Sequence, residues 1–335
     1  MTKKEKTIYK SGRKNENAYH FSRLRKNQKK LLAYIIVISI IISVFFVLDK
    51  SDIAPISEIK NTFGAIEGVK PVESDFAVYY LDAGQSDCTV VVCDDKVMMI
   101  DTGTFNQLNT IRQSLHTLEI DTIDYMVITH QHDDHMGSAT EIINDYDVEN
   151  FIMPRLAQSN NVTSKTYNVL INTINSKNIN KIPAQDCKGF MLGEALIEIL
   201  SPIEQSNNLN NMSIVLKITY GDTEFLFQGD AESKIENDLI YSDYDIDADV
   251  LKVGHHGSKT STNEKFLDAV SPKVAIVSSG AENSYGHPNG TILHRLENDD
   301  IPVFITSFDG NIAVTSDGEA ITVFTQNGYD TFTYK

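Results

Sequence analysis

Several things are scarce in this chain, and each scarcity narrows the reading. It has three cysteines in 335 residues, Cys88, Cys93 and Cys187, and no tryptophan. Three cysteines are too few for a disulfide framework. No C-x-x-C pair occurs, so the cysteines are assigned to packing rather than to metal. Cys88 and Cys93 lie in one strand-like run at an odd separation, so they face opposite ways and cannot pair locally. Internal repeats are absent, which leaves one large domain plus appendages for this length. Basic residues are outnumbered, 29 Lys+Arg against 46 Asp+Glu, giving a net charge of −17. The deficit is uneven. Residues 1–30 hold eleven basic and two acidic side chains, so the rest of the chain carries −26. A field of that sign opposes the approach of DNA, so charge lends no support to a dedicated DNA nuclease.

Long apolar runs are scarce as well. The exception is residues 31–48, uncharged throughout. At 1.5 Å per residue they make about 27 Å of helix, enough for a hydrocarbon core. The basic segment before them predicts a cytoplasmic N-terminus and an outward-facing domain. A cleaved signal peptide is the rival, with a shorter apolar stretch and a small-residue cleavage site. Asp49-Lys50-Ser51-Asp52 follows instead, which favours an uncleaved signal anchor. We therefore expect a basic tail at 1–30, a transmembrane anchor at 31–48, a stalk at 49–74 and a catalytic domain at 75–335. Pro55, Gly64, Gly68 and Pro71 oppose a long helix in the stalk.

Histidine is concentrated. Three of the nine histidines fall in His130-Gln131-His132-Asp133-Asp134-His135, after the apolar run 125–128. Alternation places His130 and His132 on one side of an extended backbone, and the following turn brings Asp134 and His135 to the same cavity. Imidazole and carboxylate suit zinc, manganese or iron. Four such groups this close exceed what one open catalytic ion needs, so two ions are expected.

The pattern His-x-His-x-Asp-His after a strand resembles the metal motif of the metallo-β-lactamase superfamily. Asp82-Ala83-Gly84-Gln85-Ser86-Asp87, Ile100-Asp101-Thr102-Gly103 and Phe227-Gln228-Gly229-Asp230 are similar to its other motifs, in the same order. Leu251-Lys252-Val253-Gly254-His255-His256-Gly257-Ser258 and Tyr285-Gly286-His287-Pro288 resemble the branch of ComEC-type competence proteins. Phosphorylcholine esterases that act on teichoic acid look similar in the metal motifs too. The likeness spans about residues 75 to 327.

This resemblance implies an αββα sandwich of the α+β class, two packed sheets with helices outside, preceded here by one transmembrane helix. It implies that His130 and His132 serve one ion, that Asp134 and His135 serve the second, and that Asp230 bridges them. It also implies a hydroxide shared between the ions as nucleophile. The superfamily's further histidine between His135 and Asp230 is missing. Asn210-Asn211-Met212-Ser213 occupies that place, and the Asn211 amide oxygen is the candidate substitute. Fewer imidazoles make a harder site, which admits manganese beside zinc.

Adjacent residues on an extended chain point apart, so one of His255 and His256 is expected to face the ions; His255 is the preferred ligand, with the reverse left open. Gly257 would let backbone approach substrate. His287 either completes the second ion's shell or hydrogen-bonds a substrate oxygen. Asp134, His255, His256 and His287 form the catalytic set. Asp82, Gln85, Asp87, Asp101, Asn211, Ser213 and Ser258 are expected to support the ligands or meet substrate. His116 on a helix, His20 and His294 are read as solvent-facing.

Local pattern supplies the elements. Leu108, Ile111, Leu115 and Leu118 recur at helical spacing, predicting a helix over 106–119. A second helix is expected from Ser138, capped by its hydroxyl, and a third within 155–182, covering one side of the site. The resemblance implies phosphodiester hydrolysis, and with the anchor and its orientation the expected function is a membrane-anchored, extracytoplasmic phosphodiesterase acting on nucleic acid or an envelope phosphoester such as teichoic acid. The alternatives are a non-catalytic metal-binding accessory of DNA uptake or envelope assembly, and a lactone or β-lactam hydrolase.

Overall fold

A computed structural model describes residues 71–156, 164–202, 204–328 and 332–334. The expected tail, anchor and nearly all of the stalk lie outside them. Among the described residues no helix is long and apolar enough to cross a membrane.

Two sheets form the centre. The first runs in the order β16-β15-β14-β1-β2-β3-β4-β5-β6 and the second β13-β12-β11-β10-β9-β8-β7. In the first sheet are β1 (Phe76–Tyr80), β2 (Thr89–Cys93), β3 (Lys96–Ile100), β4 (Thr122–Val127), β5 (Asp147–Met153) and β6 (Asn180–Pro183), with β14 (Ile312–Ser316), β15 (Ile321–Thr325) and β16 (Phe332–Tyr334) at its other edge. The second holds β7 (Gly189–Leu192), β8 (Ala195–Ser201), β9 (Val215–Tyr220), β10 (Thr223–Phe227), β11 (Val250–Lys252), β12 (Val274–Val277) and β13 (Val303–Ile305).

β1 shows why the layers number four. All five of its residues are buried. Phe76, Val78 and Tyr80 join the layer between the sheets, where they meet Phe225 and Phe227 of β10. Ala77 and Tyr79 face the other way, toward the helices. A strand covered on both faces loses the apolar–polar alternation of a half-exposed one. The outer face of the first sheet is covered by Leu108, Ile111 and Leu115, by Ile142 and Ile143, and by Leu170 and Ile174. Ile235, Leu239, Phe266, Leu267, Ile292 and Leu296 cover the second sheet. The αββα sandwich is therefore present. Cys88 packs in the outer layer and Cys93 between the sheets, and all three cysteines are free.

Two local expectations need correction, and a third is met. The first helix is Leu108–Thr117, preceded by a 3-10 turn at Phe105–Gln107. Ser138 precedes the helix Ala139–Asp145 but does not cap it; its hydroxyl donates to the Thr104 carbonyl at 2.8 Å, tying the metal loop to its neighbour. The third helix is Lys165–Lys177, capped by Ser164, whose Oγ accepts from the Tyr167 amide at 3.1 Å. It packs on the outer face of the first sheet and against the turn Asp133–Met136 of the metal loop, covering that side as expected. Two of the surface histidines behave as expected, His116 and His294 being exposed; His20 lies outside the described residues.

Candidate metal centre

β4 ends at Val127, and the chain then crosses the top of the first sheet. The Thr129 amide and hydroxyl both donate to Asp101, each at 2.7 Å, which fixes the start of the loop. His132 is extended, and Asp133–Met136 makes one helical turn whose His135 and Met136 amides bond the His132 carbonyl. Gly137 follows because the neighbouring loop is too close for a side chain: a Cβ there would lie 2.9 Å from the Gly103 carbonyl oxygen and from the Phe105 amide.

The turn gathers the expected ligands. His130 Nε2 lies 2.8 Å from His132 Nδ1. Asp230, at the end of β10, divides its two oxygens. Its Oδ2 lies 3.7 Å from His130 Nε2 and 3.5 Å from His255 Nε2. Its Oδ1 lies 3.3 Å from His135 Nε2 and 3.8 Å from His256 Nε2. Asp134 joins this second group, 3.5 Å from His256 Nε2 and 4.0 Å from His135 Nε2.

The expectation that only one of His255 and His256 faces the centre is corrected here. Both are left-handed, with φ of 49° and 53°. The extended-chain rule therefore does not apply, and the two rings splay onto opposite oxygens of Asp230. Tertiary bonds hold this uncommon backbone. The His255 amide donates to the Gly229 carbonyl at 2.9 Å, and the Gly254 amide to Gln228 Oε1 at 3.0 Å. Gln228 is in turn bound by the buried Glu236 carboxylate at 2.7 Å. Gly257, with φ of +78°, makes room for Pro288 rather than for substrate; a Cβ there would lie 2.7 Å from that ring.

Asn211 is turned away from the centre. Its Oδ1 accepts from the Glu232 amide at 3.2 Å, and its Nδ2 lies 3.4 Å from the Glu232 carboxylate, which Asn208 and Asn210 also approach. The asparagine-rich turn thus cradles Glu232, and the ring that approaches Asp230 Oδ2 beside His130 is His255. His287 does not sit among the carboxylates. Its ring lies 6.5 Å from that of His256 and 5.6 Å from that of His255, stacked on the exposed Tyr285. Asn283 pins this loop through the His287 amide and carbonyl.

The supporting residues fall into place individually. Asp101 Oδ2 lies 2.7 Å from His135 Nδ1. Asp87 Oδ1 lies 3.3 Å from His256 Nδ1, which the Ser278 carbonyl also faces at 3.1 Å. Ser213 Oγ accepts from the Asp230 amide at 3.0 Å and lies 3.4 Å from His130 Nδ1. Ser258 and Thr260 pair through their hydroxyls at 3.1 Å, and Thr260 lies 3.2 Å from His255 Nδ1. Asp82 braces its own loop by accepting from the Gly84 amide, and Gln85 accepts from the Gly280 amide. Thr129, Gln228, Glu232, Lys252 and Thr260 are structural contributors that the sequence reading assigned no role.

Burial sets the charges. It pushes the His130 and His132 imidazoles below their usual range, which favours their neutral forms. Burial opposes charge on His135 too, but Asp230 and Asp101 outweigh it and hold that imidazole well above its usual range. Asp230 is depressed despite burial, because His135 and His256 face it.

A cation fits this arrangement. His135 Nε2, His256 Nε2 and Asp230 Oδ1 are all buried and have no hydrogen-bond partner. Leaving such atoms unpaired costs about 1–3 kcal/mol each, and a divalent ion among them would satisfy all three at once. The nitrogen and oxygen donors are of the right type.

Residues 81–162 match the family model of the metallo-beta-lactamase superfamily. The chain is 30% identical over 213 residues to ComE operon protein 3 of Bacillus subtilis, covering 63% of this chain and 27% of that protein. It is also 30% identical over 239 residues to Recombination protein 2 of Haemophilus influenzae, covering 70% of this chain and 28% of the other. The chain belongs to the metallo-β-lactamase superfamily. Within it, the ComEC-type competence proteins are its branch. This chain spans less than a third of the length of these relatives. The likeness to the E377D mutant of a CmlA β-hydroxylase, at 12% identity and a TM-score of 0.50 over 73% of this chain and 55% of that one, shows the fold alone. The metallo-β-lactamase fold is that of a hydrolase family which binds divalent metal, and the histidine–aspartate cluster is where this member's donors converge.

Proposed function

We propose that the protein is a membrane-anchored, extracytoplasmic hydrolase that uses two divalent ions to cleave phosphodiesters. The observation that carries this reading is Asp230, whose two oxygens each face a separate set of imidazoles. His130 Nε2, His132 Nδ1, His255 Nε2 and Asp230 Oδ2 would hold the first ion. Asp134, His135 Nε2, His256 Nε2 and Asp230 Oδ1 would hold the second. Three imidazoles at the first position suit zinc; two imidazoles with two carboxylates at the second suit zinc or manganese. Ions bound there would activate water and draw charge from the scissile group.

The chain's own residues do the rest. Asp101 orients His135, the Ser278 carbonyl and Asp87 orient His256, and Thr260 orients His255, each by holding the ring nitrogen that faces away from the centre. The buried side of the cluster excludes water from behind. Its open side carries His132, His255 and Asp134, so substrate enters there. His287, on a loop pinned by Asn283, stands beside that opening to hydrogen-bond a substrate oxygen. Nucleic acid and envelope phosphoesters such as teichoic acid both remain within this substrate class.

The test is turnover of bis-p-nitrophenyl phosphate by the full-length protein in detergent. After chelation we expect activity to vanish and to return with zinc or manganese. Full activity after exhaustive chelation would sink the metal-dependent reading, and metal binding with no turnover would favour the accessory role instead.

The membrane part rests on the apolar run at 31–48 and the basic segment before it. Protease added to intact cells is expected to digest residues 75–335 and spare the tail. A domain protected until lysis would reverse the orientation.

A further inference from the structure

Lys252 is the last residue of β11, three positions before His255. Alternation along that strand puts it on the same face as Val250, which packs between the sheets, while Leu251 packs outward. A lysine on that face is unexpected, and it is 2% exposed. A buried ammonium requires a counter-charge. It finds one across the sandwich: Lys252 Nζ donates to Asp87 Oδ2 at 2.9 Å, and Asp87 is 5% exposed. Of the lysine and arginine pairs described, this is the one with both side chains buried.

The second centre draws its ligands from both halves of the sandwich. Asp134 and His135 follow β4 of the first sheet, and His256 follows β11 of the second. Asp87 lies where these halves meet. Its amide donates to the Asp134 carbonyl at 3.2 Å, its carbonyl accepts from the Gly103 amide at 2.8 Å, and its free oxygen faces His256 Nδ1 at 3.3 Å. A buried ion pair adds little net stability against an apolar replacement of the same size. Stability alone is therefore a poor reason for charge at this point in the core.

We propose that Lys252 is a positioning residue for the second ion: its ammonium anchors Asp87, and Asp87 with the Ser278 carbonyl sets the His256 ring so that Nε2 points at Asp134 and Asp230. The inference rests on the two-centre reading above. Without the ammonium, Asp87 keeps its backbone ties but loses the partner that fixes its side chain. His256 then keeps only the Ser278 carbonyl on Nδ1. The first centre has no contact with the pair and should be indifferent to it.

The experiment is zinc binding by the full-length protein in detergent, read by competition with a chelating dye. Lys252→Met keeps the length of the side chain and removes its charge. It is measured alone, and in backgrounds that leave one centre intact: His132→Ala for the second, His256→Ala for the first. The loss expected of an outer-shell partner is about 10–100-fold in affinity. We expect that loss at the second centre and less than about a threefold change at the first. Thermal unfolding is followed alongside, because a merely structural role would lower the melting temperature without separating the two centres. If Lys252→Met fails to fold, Lys252→Met/Asp87→Asn replaces it. That variant leaves no unpaired buried charge, and it should fold with the same selective loss. Equal weakening of both centres, or wild-type affinity at both, would overturn the proposal. Wild-type protein that binds fewer than two ions would instead overturn the two-centre reading, and the Lys252 inference with it.

Discussion

Asp230→Ala is expected to abolish turnover and to weaken both zinc equivalents by more than about a hundredfold, beyond the range typical of outer-shell losses. The expectation follows from the division of its carboxylate. Oδ1 faces His135 and His256, and Oδ2 faces His130 and His255, all within 3.8 Å. Among the described residues no other carboxylate comes within 4.0 Å of a ring nitrogen in both groups. Truncation also removes the anion that balances His135 and His256 before metal enters, so the cluster would favour protons less but hold metal far less. Asp230→Asn keeps one oxygen and the shape, and should retain one equivalent better than the other. The measurement is zinc titration with turnover on the same samples. Two equivalents at wild-type affinity in Asp230→Ala would remove the bridge from the account.

The second large effect separates two adjacent histidines. His255→Ala should lose the first equivalent and spare the second, and His256→Ala should do the reverse. Each should lower turnover by at least about a hundredfold, since each removes a direct ligand rather than an outer-shell partner. The prediction depends on the left-handed backbone at both positions, which turns neighbouring rings to opposite oxygens of Asp230. On an extended chain one of the two substitutions would be nearly silent. Doubly substituted probes sharpen the test. His132→Ala/His255→Ala should bind as His132→Ala does, because both residues serve one ion. His132→Ala/His256→Ala should bind almost nothing. By the same logic Asn211→His should not tighten zinc, because the Asn211 side chain is spent on Glu232.

Much of this site was legible in the sequence because its chemistry is concentrated. His130, His132, Asp134 and His135 fall within six residues, and a strand followed by one helical turn brings them to one side. Asp230 was legible from its strand and its place in the motif order. The fold was legible where period and length agreed, as at Leu108, Ile111 and Leu115, whose helical spacing is the buried stripe of the helix Leu108–Thr117. What was not legible depends on distant partners. The backbone of His255 and His256 is set by Gly229 and by Gln228, which Glu236 holds in turn. Lys252 reads as an ordinary strand-end lysine until Asp87, 165 positions earlier, appears beside it. Ser138 had the residue type of a cap, but the Thr104 carbonyl on the neighbouring loop competed for its hydroxyl. Asn211 stood where a ligand was missing, and only the position of Glu232 shows which way its amide turns.

The central claim is that two ions sit on either side of Asp230. The most direct test is elemental analysis of the full-length protein, stripped by chelation, resupplied with excess zinc or manganese and freed of unbound ion. The account predicts two ions per chain. One ion per chain, or no more than a trace under either metal, would contradict it.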